Sequence, residues 1–169
     1  QISRCYLCNK LTAQHRTCRS CHSRLRRVWW LGSYKNALKE LIYSMKYQRN
    51  RGYARQLGDL LAETIPYLPA QTLIISAPTA PKRIRQRGFD QEALIAQQVA
   101  AHHKLKYKPL LYRATQVDQI GKNRTQRYEQ MRGSVKIHKP EQIQGKSILL
   151  IDDVLTTGAT LEVAARILR

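Results

Sequence analysis

Apolar residues fall along this chain in patterns of distinct kinds, and each kind predicts a different element. Leu73-Ile74-Ile75, framed by Thr72 and Ser76, and Ile148-Leu149-Leu150-Ile151 are short runs without alternation. Strands buried on both faces of a parallel sheet read this way. Elsewhere the spacing is helical. Leu38, Leu41, Ile42 and Met45 share one face between Asn36 and Tyr47, with Asn36 as the candidate cap. Leu57, Leu60 and Leu61 are expected to point inward from a second helix, Tyr53 to Ile65, which Pro66 and Pro69 stop. Ala93, Leu94, Ile95, Ala96, Val99 and Ala100 predict a third helix, and Leu161 to Leu168 a fourth. Pro109 to Arg113 reads as a third strand, and Ser134 to Ile137 as another short one. Trp29 to Tyr34 reads as a strand or extended link. Residues 114–132 carry little apolar content and much charge, and are read as a mobile loop or ribbon. Strands alternating with helices predict an α/β fold with a parallel sheet. Such a sheet is expected to gain one more strand beyond Arg169.

The 169 residues suffice for one α/β core and a small appendage. No apolar run is long enough to cross a membrane, and no apolar stretch near the N-terminus reads as a signal peptide. These absences, with the cysteine usage below, point to a cytoplasmic protein without membrane insertion. The net charge of +19 changes the picture more. Residues 1–55 hold 13 Lys/Arg against one acid, and residues 82–139 hold 14 against four. Two blocks this basic attract polyanions, a nucleic acid or a polyphosphate substrate among them, or serve solubility. Trp29 and Trp30 beside Arg24, Arg26 and Arg27 could stack bases, while at least one Trp is expected to pack the appendage onto the core. Arg124 and Arg127 are further candidate contacts in the second block.

Four cysteines, Cys5, Cys8, Cys18 and Cys21, are spaced C-x2-C-x9-C-x2-C. Each pair puts two thiolates on one tight turn, and two such turns close a tetrahedron around zinc. Disulfides fit an intracellular chain poorly. The reading is a structural zinc module over residues 1–28, followed by an α/β domain over residues 29–169. His15 and His22 lie nearby as alternative ligands, but with four cysteines available each is read as a surface residue. So short a segment has no core of its own, so metal binding would supply most of its folding energy.

Two places carry chemistry. The first β run ends in Ala77-Pro78-Thr79-Ala80-Pro81, and Lys82, Arg83, Arg85 and Arg87 follow. A strand end backed by four basic residues suits a pyrophosphate, with Ala77, Pro78, Arg83 and Arg87 as candidate contacts. The second β run leads into Asp152-Asp153-Val154-Leu155-Thr156-Thr157-Gly158-Ala159-Thr160. Gly158 lets backbone approach a ligand closely, and the threonine hydroxyls and helix-start amides face an anion. Two carboxylates beside a phosphate cradle make sense if the ligand also carries sugar hydroxyls or magnesium.

This second stretch resembles, from Ile151 to Thr160 without departure, the phosphoribosyl pyrophosphate (PRPP) motif of type I phosphoribosyltransferases. The resemblance implies that Asp152 and Asp153 hold the ribose hydroxyls at the reacting end. It implies that Thr156, Thr157, Gly158, Ala159 and Thr160 hold the 5′-phosphate. Four features in order narrow the likeness: the cysteine turns; Tyr34 with a helix ending Met45-Lys46-Tyr47; Arg83 with Arg87-Gly88-Phe89-Asp90-Gln91; and the PRPP motif. Together they resemble the ComF/GntX family of phosphoribosyltransferase-like proteins. Asp90 stands where that family usually shows Asn, and Gln130, before Met131-Arg132-Gly133, also stands where Asn is expected. The family implies a place in natural transformation, on incoming single-stranded DNA, near a DNA-uptake helicase or processing protein. It also implies PRPP as ligand with magnesium on its pyrophosphate. An active transferase would use Arg83, Arg85, Arg87 or Arg124 to neutralise that leaving group. The remaining alternatives are a transferase on an unidentified amine or base with no DNA role, and a scaffold that meets only nucleic acid.

Overall fold

The computed structural model describes residues 2–21, 23–114 and 133–169. A two-stranded antiparallel ribbon opens the chain, β1 (Ile2–Arg4) with β2 (Leu11–Ala13). A 3-10 turn at Arg19–Cys21 follows. Helices α1 (Asn36–Tyr47) and α2 (Arg51–Thr64) come next, then β3 (Thr72–Ser76), α3 (Pro81–Arg87) and α4 (Gln91–His102). The rest is β4 (Lys106–Tyr107), β5 (Leu111–Arg113), β6 (Val135–Ile137), a 3-10 turn at Pro140–Ile143, β7 (Ser147–Ile151) and α5 (Ala159–Ile167).

The architecture is α/β. Its parallel sheet runs β4-β3-β7, with Thr72 opposite Ser147 and Ser76 opposite Ile151. Alternate side chains of a strand leave opposite faces, and each face of this sheet has its own apolar cluster. Ile74, Leu149 and Ile151 join α1, α2 and α4 on one side. Leu73, Ile75, Ile148 and Leu150 join α5 and the β5–β6 ribbon on the other. This is why both β runs are continuously apolar. Ile74 and Ile75 are fully buried, each contributing about 1.5–3 kcal/mol. Helices α2 and α4 pack tightly on each other. A Cβ on Gly58 would lie 2.5 Å from Gln98 Cβ and 3.1 Å from the Ile95 carbonyl oxygen. Only glycine lets the two helices approach so closely.

Several local expectations change. Asn36 does not cap α1: it is the first helical residue at φ 48°, behind a Lys35 that makes no side-chain cap bond. Side-chain caps stand on two other helices: Asn50 Oδ1 accepts from Gly52 N at the start of α2, and Asp90 Oδ1 from Ala93 N at the start of α4. Leu60 faces solvent at 42% exposure, while Leu57, Gly58 and Leu61 take the inward places of α2. Pro109 to Arg113 does not add a strand to the parallel sheet. Its Leu111–Arg113 portion pairs antiparallel with β6, and the two-residue β4 takes the third place. The basic stretch from Pro81 forms a helix, started by that proline at its first position. Trp29 to Tyr34 is a link without strand pairing. No helix among the described residues is long and apolar enough to cross a membrane.

Candidate functional site

β3 and β7 end side by side, and Ala77 N donates to the Ile151 carbonyl oxygen at 2.7 Å. This is the carboxyl edge of the sheet, where open α/β folds gather ligands. Asp152 and Asp153 leave β7 here. Both are half-buried, and Asp153 N donates to Asp152 Oδ1 at 2.9 Å. Lys46, at the end of α1, pairs with Asp153 Oδ2 at 2.7 Å. Gln91, the first residue of α4, donates from Nε2 to Asp153 Oδ2 at 3.2 Å and to Glu92 Oε1 at 3.0 Å. Glu92 is buried, and Thr79 donates to its Oε2.

Glu92, Asp152 and Asp153 bring carboxylate oxygens within 4.8 Å of one another. Burial, with Asp153 alongside, pushes Glu92 up to about 8. The same two causes push Asp152 up to about 7. Crowded carboxylates hold protons because desolvation and like charge both penalise ionisation. Arg113 approaches from β5, its Nε donating to the Pro78 carbonyl oxygen at 3.1 Å. Burial first and Arg83 second lower its affinity for its proton, while Asp152 and Glu92 restore part of it.

The Thr/Gly loop follows. Thr156 is exposed and Thr157 half-buried, with Thr157 Oγ1 accepting from Ala159 N at 3.4 Å. Gly158 takes φ 73° as the N-terminal cap of α5, and Ala159 and Thr160 form its first turn. The first amides of that helix have no partner within it, which suits an anion. Ala77 and Pro78 are buried beside this edge, Arg83 is exposed on α3, and Arg87 is half-buried there. Arg87 Nη1 is enclosed without a partner among the described residues.

Cys5, Cys8, Cys18 and Cys21 bring four sulfurs within 4.8 Å of one another, an arrangement that fits a bound metal ion and structural zinc in particular. Each pair sits on a tight turn, Asn9 N donating to the Cys5 carbonyl oxygen and Cys21 N to that of Cys18. Hydrogen bonds from Ser20, Cys21 and Cys8 lower Cys18 to about 6. Cys21 is raised, because Cys18 and Cys8 accept at its expense. Thiols that share protons in this way are set to exchange them for a cation. His15 is half-buried between Trp29 and Trp30, at ring separations of 6.2 and 6.0 Å, rather than on the open surface. His22 lies outside the described residues.

Of the candidate nucleic-acid contacts, Arg24, Arg26 and Arg27 are exposed. Trp29 is half-buried against the larger core cluster, and Trp30 is the freer ring at 40% exposure. Arg124 and Arg127, with the loop or ribbon expected from 115 onward, lie outside the described residues. An open cavity of about 1590 Å³ is lined by Arg24, Arg26, Arg27 and Trp29 and also by Asp152 and Asp153.

Lys46, Gln91, Glu92 and Arg113 join the carboxylate site without having been singled out from sequence. Lys46 and Gln91 were visible only as members of the Met45-Lys46-Tyr47 and Arg87-to-Gln91 segments. Glu92 and Arg113 carried no local signal.

The phosphoribosyl transferase domain family matches residues 95–169, from α4 through the carboxylates to the end of the chain. With the α/β sheet and the loop at its carboxyl edge, this match supports a phosphoribosyltransferase-like reading of the chain. Among curated relatives it is similar to the competence protein ComFC of Bacillus subtilis, 28% identical over 97% of this chain and 70% of the relative. It is also similar to the DNA utilization protein YhgH of Shigella flexneri and of Escherichia coli K12. Each is 26% identical over 98% of this chain and 84% of the relative. These similarities, at 26–28% identity over most of the chain, support a phosphoribosyltransferase-like protein of the ComFC type. No solved structure matches it significantly.

Proposed function

We propose that the chain binds PRPP with magnesium at the carboxyl edge of the sheet and serves DNA uptake or DNA use in the cytoplasm, on or near single-stranded DNA. The observation that carries this is the junction of β7 with α5. Paired carboxylates and a Thr/Gly loop ending in a helix start stand together where a sugar and its phosphate can be held at once. In this reading Asp152 and Asp153 take the ribose hydroxyls, and residues Thr156 to Thr160 the 5′-phosphate. Lys46 pairs with Asp153 in a half-buried place. Magnesium would offset part of the pyrophosphate's charge, with Arg83 and Arg87 on α3 as cationic partners of the pyrophosphate. The relatives' names support the DNA side, as does the cavity shared by Arg24, Arg26, Arg27 and the carboxylates. A DNA-uptake helicase or processing protein is the natural neighbour.

As an enzyme, the protein would transfer the ribosyl group to an amine or base nitrogen. The C1–pyrophosphate bond breaks as the C1–N bond forms, the pyrophosphate leaves, and the acceptor gives up a proton. Positioning and charge stabilisation suffice for such a step. Calorimetric titration with PRPP and magnesium tests the reading. The parent protein is expected to bind, and Asp152→Ala with Asp153→Ala is expected to abolish binding while thermal unfolding stays cooperative. Equal affinity in the two proteins would overturn the assignment.

A further inference from the structure

The cysteine module and the Thr/Gly loop are in direct contact. Tyr6 lies between the first two cysteines, and its ring rests on Gly158. A Cβ there would come within 2.7 Å of Tyr6 Cε2. Ser23, just after the last cysteine, and Tyr6 both donate to Glu162 Oε1, the Ser23 bond at 2.5 Å. Arg24 N donates to Glu162 Oε2 at 3.2 Å. Both cysteine turns therefore converge on one carboxylate in the first turn of α5.

That position has a consequence for an anion. A free carboxylate at a helix start competes with a bound phosphate for the same amides and repels it. Here Glu162 is engaged by two hydroxyls and an amide from the cysteine module, and Tyr6 covers the glycine of the loop. Holding both turns of that module in register is what a metal on the four cysteines does.

We infer that metal binding at the cysteines and anion binding at the Thr156–Thr160 loop are thermodynamically linked through Tyr6, Ser23 and Glu162. The inference rests on the PRPP reading for the identity of the anion. Tyr6 is a positioning residue: it touches the loop, not the reacting atoms. Linkage is reciprocal, so zinc tightens PRPP by the same factor by which PRPP tightens zinc.

The test compares zinc-loaded protein, chelator-stripped protein and zinc-loaded Tyr6→Phe, which keeps the ring and loses the hydroxyl. Calorimetry is expected to show PRPP binding about tenfold tighter to the loaded than to the stripped parent, as for a lost hydrogen bond to a charged group. PRPP is expected to slow zinc loss to a chelator in the parent. Tyr6→Phe should hold its zinc while showing a weaker response to PRPP. Equal PRPP affinity with and without zinc overturns the linkage. If PRPP binds neither form, the PRPP reading fails on its own, and amide exchange over residues 157–162 then decides the linkage. Zinc-dependent protection there sustains it, and identical exchange in loaded and stripped protein refutes it.

Discussion

Gly158→Ala puts the contact between the cysteine module and the loop to a quantitative test. Gly158 sits at φ 73°, a left-handed conformation that costs a residue with a Cβ roughly 1–2 kcal/mol. The new methyl carbon would also lie 2.7 Å from Tyr6 Cε2, against an ordinary carbon contact of about 3.5–4.0 Å. The ring must then retreat by roughly 1 Å, although its hydroxyl is tied to Glu162 and Ser23. Overpacking of this kind costs about 1–3 kcal/mol. The expected total is about 2–5 kcal/mol in the parent and about 1–2 kcal/mol in a Tyr6→Ala background, where only the backbone strain remains. The difference is a coupling energy, read from a double-mutant cycle. Urea unfolding followed by tryptophan fluorescence, with zinc in excess, suits the measurement, because both tryptophans neighbour His15 of the cysteine module. If Gly158→Ala costs the same in both backgrounds, the Tyr6 ring is not what confines the loop.

The raised carboxyls predict a pH dependence. Glu92 at about 8 and Asp152 at about 7 keep protons in the folded chain that the unfolded chain has released, so stability falls as pH rises from about 4 to about 8. Urea midpoints at several pH values should show a steeper fall for the parent than for Glu92→Gln, by on the order of a few kcal/mol across that window, and parallel profiles would contradict it. X-ray absorption on protein purified without chelator should find one zinc per chain with four sulfurs at about 2.3 Å. Cys18→Ser should unfold the cysteine module and leave the sheet, as judged by amide exchange. Binding to a single strand, measured by anisotropy, should weaken with salt, and replacing Arg24, Arg26 and Arg27 with Ala should flatten the log–log slope by about two units. An unchanged slope would take those arginines off the DNA.

The parts of the site that could be read from sequence are those whose residues are neighbours in sequence. The β7–loop–α5 junction announces itself because four apolar residues, two acids and a Thr/Gly loop are contiguous. The four cysteines are legible because each pair closes one turn. Glu92 is different. In sequence it is an acid in the first turn of a helix, a common place for one. Its meaning comes from Asp153, 61 positions on, which packing brings to the same edge. Tyr6 and Glu162 are 156 positions apart, and nothing near either one foretells the bond. The two-residue β4 has no apolar run to betray it, and β5 had the apolar content of a sheet strand but found its partner in β6. Pattern reports burial here; pairing is settled by topology.

The close approach of α2 and α4 at Gly58 reaches further than packing. Helix α4 begins with Gln91 and Glu92, so its seat against α2 fixes how deeply those two side chains reach toward Asp153. A methyl at position 58 would act as a shim: it would push α4 outward and change the spacing of the carboxylates without touching any of them. Selection for the chemistry at the sheet edge would therefore register as intolerance at a residue in the middle of a different helix. A mutational scan scored on ligand binding should find position 58 as restrictive as the acids themselves.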